Sequence, residues 1–154
     1  CSVRRQRQMC IRDSTETAAK FIQEEEKFDY RCFYSQSYKK IIEDTVFINK
    51  LKGKTVYFGA AAKGCVYLNA LQQTSEKNTY VVDDTPGKQG LFVPGTGMEI
   101  KSREFMLEDK PDNVIILAHN FAGFITTKLR RDGYKGRIIT MMPDIYIDEA
   151  QDHQ

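Results

Sequence analysis

Cysteine and histidine are scarce: the 154 residues hold four Cys and two His. Cys1 and Cys10 fall within the first 14 residues, which leaves Cys32 and Cys65, far apart, together with His119 and His153. Such spacing supplies neither a zinc constellation nor a disulfide framework, so no metal is expected in this chain. A reducing, cytoplasmic compartment is the matching expectation. Long hydrophobic runs are missing as well. No uninterrupted apolar stretch approaches the roughly 20 residues of a membrane span. Nor does an apolar segment follow the early basic residues, as it would in a secretory signal. A membrane partner is therefore not expected.

A strong excess of one charge is also lacking, once the start of the chain is set apart. Residues 1–14, Cys1 to Ser14, are basic and follow neither a helical nor a strand period. A basic arm for nucleic acid is one reading of them. The other is that Arg5 to Asp13 can be back-translated into a string resembling a transposon adapter used in preparing DNA sequencing libraries. On that reading residues 1–14 are a non-native leader on a reading frame cut off upstream, and 15–154 are the native part. Without the leader's four Arg and one Asp, 19 basic and 20 acidic side chains remain, a net charge of −1. A nearly neutral domain offers no electrostatic footprint for a polyanionic backbone, so nucleic acid is not an expected partner.

What is present is a chain of one-domain size, 41% apolar and 29% charged, which suits a folded core. Thr15 to Lys27 predicts a charged helix, capped by Ser14 or Thr15 with Glu16 in its first turn. Glu24-Glu25-Glu26 reads as its solvated surface. Phe33, Ser37, Ile41, Thr45 and Ile48 fall near one stripe, predicting a long amphipathic helix from Tyr30 to Leu51 with Gly53 just past its end. The aromatics Tyr30, Phe33, Tyr34 and Tyr38 read as core or as an interdomain face.

The period then changes. Thr55-Val56-Tyr57-Phe58 predicts a buried strand, followed by a helix over about Lys63 to Gln73. Tyr80 to Asp83 predicts a second strand and Val114 to Ala118 a third, the last a continuous apolar run of the kind covered on both faces. Phe121 to Arg131 predicts a helix ending near Gly133, and Arg137 to Met141 a further strand. This order implies parallel β-α-β units: a Rossmann-like α/β fold, mostly parallel, flanked by helices and preceded by one or two N-terminal helices. Ligands of such sheets sit beyond the carboxyl ends of the strands. The residues after Phe58, Val82, Ala118 and Met141 are the ones to examine.

Gly59-Ala60-Ala61-Ala62-Lys63-Gly64 lies between a strand and a helix, where free amides can receive an anion. Gly59 permits the sharp turn, the alanines keep its surface small, Lys63 adds a cation, and Gly64 lets the helix approach the sheet. Small residues serving packing alone are the plainer reading, but they leave the lysine unexplained. No Ser or Thr follows the lysine, so this is not a Walker loop, and it is not G-x-G-x-x-G. Asp83 and Asp84 stand 24 and 25 residues after Gly59. An acidic side chain there is either an acceptor for ribose hydroxyls or a turn residue before Thr85-Pro86-Gly87. Lys88, Gln89 and Gly90, then Pro94, Gly95 and Thr96, belong to a long loop rich in donors and close-approach glycines. His119, Asn120 and Phe121 follow the most buried strand. His119 is a structural or a ligand residue, and Asn120 a ligand residue or a helix cap.

In order and spacing, Gly59 to Gly64, Val81-Val82-Asp83, Pro86, Lys88-Gln89-Gly90, Pro94-Gly95-Thr96 and Asn120-Phe121 resemble one module. It is the C-terminal domain of the S-adenosylmethionine-dependent C-methyltransferases that act on nucleotide-linked deoxysugars, and the likeness covers roughly Thr17 to Asp144. The resemblance implies a substrate-binding domain that closes over a nucleoside diphosphate sugar. It also implies upstream domains that bind zinc, hold S-adenosylmethionine and carry the catalytic base, so that no catalytic residue and no cofactor is expected in this chain. The base would take a proton beside the sugar's keto group, and the enolate would attack the methyl sulfonium. Here Lys63 and the turn amides would neutralise phosphate while Lys88 and Gln89 fix the ligand's register.

Several positions depart from the family's pattern. His119 replaces a common Trp, Ala118 a frequent Pro, Gly97 a usual His, Phe124 a usual acid, and Asp84-Thr85 a usual Arg-Asn pair. The resemblance therefore does not extend to the identity of the sugar. Two other readings start from the residues alone. One is a stand-alone Rossmann domain for NAD or a similar cofactor, against which the missing second glycine counts. The other is a non-catalytic interaction module docking through the aromatic helix from Tyr30 to Leu51.

Overall fold

The structure, a computed structural model, describes residues 29–75 and 79–150. The expected leader over residues 1–14 and the expected helix over 15–27 lie outside them. The chain divides into two compact units, residues 1–39 and 40–154.

Helix α1, Tyr30–Lys50, begins in the first unit. Its start is fixed by Asp29, whose carboxylate accepts the amides of Arg31 at 3.1 Å and Cys32 at 2.9 Å. In this part of the helix Tyr34 and Tyr38 stack with ring centroids 6.2 Å apart. Tyr30, Phe33, Tyr34 and Tyr38 are all more than half exposed and belong to neither core cluster.

The second unit is a six-stranded sheet in the order β3-β2-β1-β4-β5-β6. The strands are β1, Thr55–Phe58; β2, Val81–Val82; β3, Ile100–Lys101; β4, Asn113–Ile116; β5, Arg137–Thr140; and β6, Tyr146–Asp148. All neighbours are parallel except β6, which runs antiparallel to β5. The fold is the mostly parallel Rossmann-like α/β arrangement that the order of elements implies. Helices α2, Ala62–Ala70, and α4, Ala122–Arg131, follow β1 and β4, and α3, Arg103–Asp109, precedes β4.

Alternation along the strands sends side chains to two cores. Tyr57, Val81, Ile115 and Ile139 face one side, where Ile48 of α1 and Leu68 of α2 cover them. Val56, Phe58, Val82, Val114, Ile116 and Ile138 face the other, beneath Met106 of α3 and Ile125 and Leu129 of α4. Every residue of β4 is buried, as the continuous apolar run requires of a strand covered on both faces.

Three elements were not expected from the sequence. Strand β3 has two residues and no alternation to read. Its outer edge is covered by its own loop, since Gly90 N–H donates to Ile100 O and Ile100 N–H to Leu91 O, each at 2.8 Å. Helix α3 is short and capped by Ser102, whose hydroxyl accepts the Phe105 amide at 3.1 Å. Strand β6 is held by Arg130, which donates to the Asp148 carboxylate at 2.7 Å and to the Asp148 carbonyl at 2.8 Å.

Buried polar groups are paired inside the first core. Asp44 is fully buried and accepts from the Tyr67 hydroxyl and the Lys40 ammonium. Tyr57 donates to Gln73 at 2.9 Å. Burial pushes both phenols above their ordinary value of 10.0, with the Asp44 carboxylate adding to the effect at Tyr67.

Candidate functional site

The turn after β1 starts at Gly59, whose φ of +108° lies where only glycine is comfortable. A Cβ there would also stand 3.1 Å from that of Ala118. Ala60 is buried, and Ala61 is the extended cap of α2 with no side-chain bond across its end. The first hydrogen bond closing the helix runs from Cys65 N–H to Ala61 O at 2.9 Å. The amides ahead of it, at Ala62, Lys63 and Gly64, are those that a helix leaves without an internal acceptor. Gly64 is buried where a Cβ would meet the Gly59 carbonyl oxygen at 2.8 Å and Leu117 Cβ at 3.0 Å, so only glycine lets α2 start this close to the sheet.

The residues of this helix start, with Ala61, line one side of a cavity of about 310 Å³: Ala61, Ala62, Lys63 and Gly64. Leu117, Ala118, His119, Asn120 and Phe121 line the other. One wall follows β1 and the other follows β4, its neighbour in the sheet. That is the place where the chain order reverses direction, the crevice in which open α/β sheets take ligands. Lys63 is exposed at the cavity wall. His119, Asn120 and Phe121 form a 3-10 turn, with Phe121 65% exposed at the rim. Phe121 itself is the cap residue of α4, without a side-chain bond, so Asn120 does not cap that helix. Ala62, from the expected turn, and Leu117 and Ala118 complete the lining. Leu117 and Ala118 stand at the end of the predicted strand run.

A second group adjoins the turn from β2. Asp83 is 8% exposed. Its Oδ2 accepts the Ala60 amide at 2.9 Å and the Lys88 ammonium at 3.1 Å, and its Oδ1 accepts the Thr85 amide at 2.9 Å. Burial pushes this carboxyl up, but hydrogen bonds from Thr85 and the charge and hydrogen bond of Lys88 outweigh it, so it lies below the ordinary range. These contacts are those of the turn reading of Asp83: its carboxylate accepts from three donors of the protein itself. Lys88 and Gln89, expected to fix the ligand's register, are held internally too. Lys88 Nζ donates to Ala60 O at 3.0 Å, and Gln89 Nε2 to Asp83 O at 3.0 Å.

A third group is not brought to the cavity. Asn69 Nδ2 donates to Pro94 O at 2.9 Å, and a Cβ on Gly95 would fall 2.1 Å from Asn69 Oδ1. Asn69 is near the carboxyl end of α2, on the order of 10 Å along the helix from its first-turn amides. Thr96 is buried and spends its hydroxyl on Val93 O, at 3.2 Å, and the Met98 amide. Gly90, with φ of +80°, serves the covering of β3. Sequence order placed Gly90, Pro94, Gly95 and Thr96 after β2. The long loop then carries them away from the strand end.

A larger cavity, about 700 Å³, is lined by residues such as Lys110, Asp112, Asp132, Lys135 and Arg137. It lies at the amino ends of β4 and β5, where the carboxyl ends of α3 and α4 turn their carbonyls. That is the wrong end of a parallel sheet for a phosphate, so volume does not decide between the two.

A family model described as the C-methyltransferase C-terminal domain matches residues 3–143. No curated protein matches the chain. Among solved structures, the crystal structure of UDP-D-quinovosamine 4-dehydrogenase from Vibrio fischeri is 16% identical, with a TM-score of 0.43. The match covers 66% of this chain and 96% of that one.

Proposed function

From the premise that the chain belongs to the C-methyltransferase C-terminal domain family, we propose that it binds a nucleoside diphosphate sugar and holds the sugar in position for methyl transfer. The observation that carries this reading is the helix start at Ala62, Lys63 and Gly64. It is open to a cavity at the reversal point of the sheet and bears an exposed lysine. The diphosphate sits on these amides and the Lys63 ammonium, both favourable to negative charge. His119 and Asn120 offer polar groups to the sugar, and Phe121 offers an apolar face at the rim.

Within this reading the upstream domains of the enzyme hold zinc and S-adenosylmethionine, which supplies the methyl group. Among the described residues no three His, Cys, Asp or Glu side chains gather where a metal could sit. The chain's own contribution is positioning, worth a large part of a barrier when reacting atoms are held in line. A dinucleotide of the NAD type is less well supported. It needs a free acid at the end of β2 for ribose, whereas Asp83 is engaged by Ala60, Thr85 and Lys88 and Asp84 is paired with Lys128 and Arg103.

Calorimetric titration of the chain with a panel of nucleoside diphosphate sugars differing in base tests the proposal. Saturable heat with at least one, lost when the diphosphate is removed, is expected. Silence across the panel sinks it.

A further inference from the structure

Both backbone groups of Ala60 are taken by side chains from the loop after β2: its N–H by Asp83 Oδ2 at 2.9 Å, its carbonyl by Lys88 Nζ at 3.0 Å. The contact of 3.1 Å between Lys88 Nζ and Asp83 Oδ2 closes these bonds into a ring. Ala60 is the one residue between Gly59, whose backbone is permissive, and Ala61, the cap of α2. Its two flanking peptide planes set where the amides of Ala62, Lys63 and Gly64 point. We propose that Lys88 and Asp83 are positioning residues of the anion turn, clamping the Ala60 peptides from behind, and that Lys88 does not itself contact the ligand. The inference rests on the binding reading above.

Three features support the assignment. Lys88 has its charge matched by Asp83, whose side chain is only 10% exposed. Drawing the ammonium off to a phosphate would leave that carboxylate without its cation and the Ala60 carbonyl without its donor. The clamp is also anchored from its own side, by Thr85 N–H on Asp83 Oδ1 and by Gln89 Nε2 on Asp83 O. Lys63, in contrast, stands at the cavity with no ion pair among the described residues. One lysine serves the ligand and the other serves the turn.

The test uses the full chain and inorganic pyrophosphate as probe, with Lys88→Met, Asp83→Asn, their double variant, Lys88→Arg and Lys63→Ala, each checked for a cooperative melt. A positioning role predicts that Lys88→Met and Asp83→Asn each weaken pyrophosphate about tenfold, and that the double variant is no worse than either, because one ring is broken once. It predicts that the salt dependence of binding keeps its wild-type slope in Lys88→Met and falls in Lys63→Ala. Lys88→Arg recovers affinity, and the Ala60 amide resonance of the unliganded protein moves in both single variants. A reduced salt slope in Lys88→Met, additive losses, or an unmoved Ala60 amide overturns the proposal. If wild-type protein ignores pyrophosphate the binding reading fails, and the clamp loses its purpose with it. Wild-type binding combined with independent effects at Asp83 and Lys88 sinks the clamp alone.

Discussion

Gly64 lies against the carbonyl of Gly59 so closely that a methyl group on it would stand 2.8 Å from the oxygen. The neighbour is backbone, which cannot swing aside as a side chain would. Gly64→Ala is expected to destabilise the fold by about 1–3 kcal/mol, the usual cost of overpacking. Gly123 makes the contrast, because a Cβ there meets nothing within 4 Å and its backbone is helical. Gly123→Ala is expected to stabilise by about 0.4–1 kcal/mol through the unfolded chain. Urea midpoints of the two variants moving in the same direction would contradict this account.

Lys63→Ala removes a charge without disturbing packing, since the side chain is exposed. Affinity for a nucleoside diphosphate sugar should fall roughly tenfold at low ionic strength and much less at high salt, where exposed charges are screened. Titrations at two salt concentrations measure this. An equal loss at both would point to damaged structure instead.

Asp83 and Asp109 are the partly buried carboxyls that contribute to the acid limit. At Asp109, as at Asp83, burial raises the carboxyl, but hydrogen bonds and charge prevail and hold it below its ordinary value of 3.8. For Asp109 these come from Lys54 and Tyr80. In the unfolded chain these groups take up protons first, so unfolding consumes protons in acid. Their contribution is complete above the ordinary value and drains as pH falls through the lower folded ones. Tyr57, Tyr67, Tyr80 and Tyr134 act at the other end. Burial raises each phenol above 10.0, so the unfolded phenols ionise first and stability declines as pH climbs past that value. Unfolding free energies across the pH range should form a plateau with losses at both ends. Asp83→Asn should flatten the acid side.

Arg130 joins α4 to β6 and to the turn between α4 and β5. Its guanidinium reaches Asp148 and also donates to Tyr134 O and Gly136 O, each at 2.8 Å. A lysine ammonium cannot reproduce that fork. Arg130→Lys should cost about 1–2 kcal/mol and speed amide exchange in β6 while leaving β1 and β4 protected. Unchanged exchange in Ile147 would show that β6 holds without the arginine.

What the sequence made legible was whatever depended on local pattern. Thr55–Phe58 and the helix from Tyr30 were read with nearly the bounds observed, because β-branched runs and a long amphipathic period announce themselves. The Gly59–Gly64 turn could be placed from the end of its strand, but which of the other strand ends would share a cavity with it could not, since that depends on β4 lying beside β1. Strand β3 was not legible: Ile100 and Lys101 form a strand only because β2 lies beside them and the loop covers them. Helix α3 did carry a signal, Ser102 ahead of an apolar cluster, that went unread. The partners of Asp83 and Lys88 were hidden for another reason. An Asp at a strand end and a Lys in a loop look available to a ligand until the fold brings Ala60 between them. Asp44 carries no signal in the sequence either: it is buried against Tyr67, a residue of a different helix.

The two walls of the cavity grow from adjacent strands locked in register, with Phe58 opposite Ile116. Adjacent strands keep a spacing of about 4.8 Å that hydrogen bonds do not let stretch. The floor between the two walls therefore has a width set by the strand ladder. Under the proposed function, discrimination between one sugar and another falls to the rim, where His119 and Phe121 lie outside the strand ladder. On the proposed reading, the sugar accepted could change by substitution at the rim while the strands that carry the diphosphate site stay as they are.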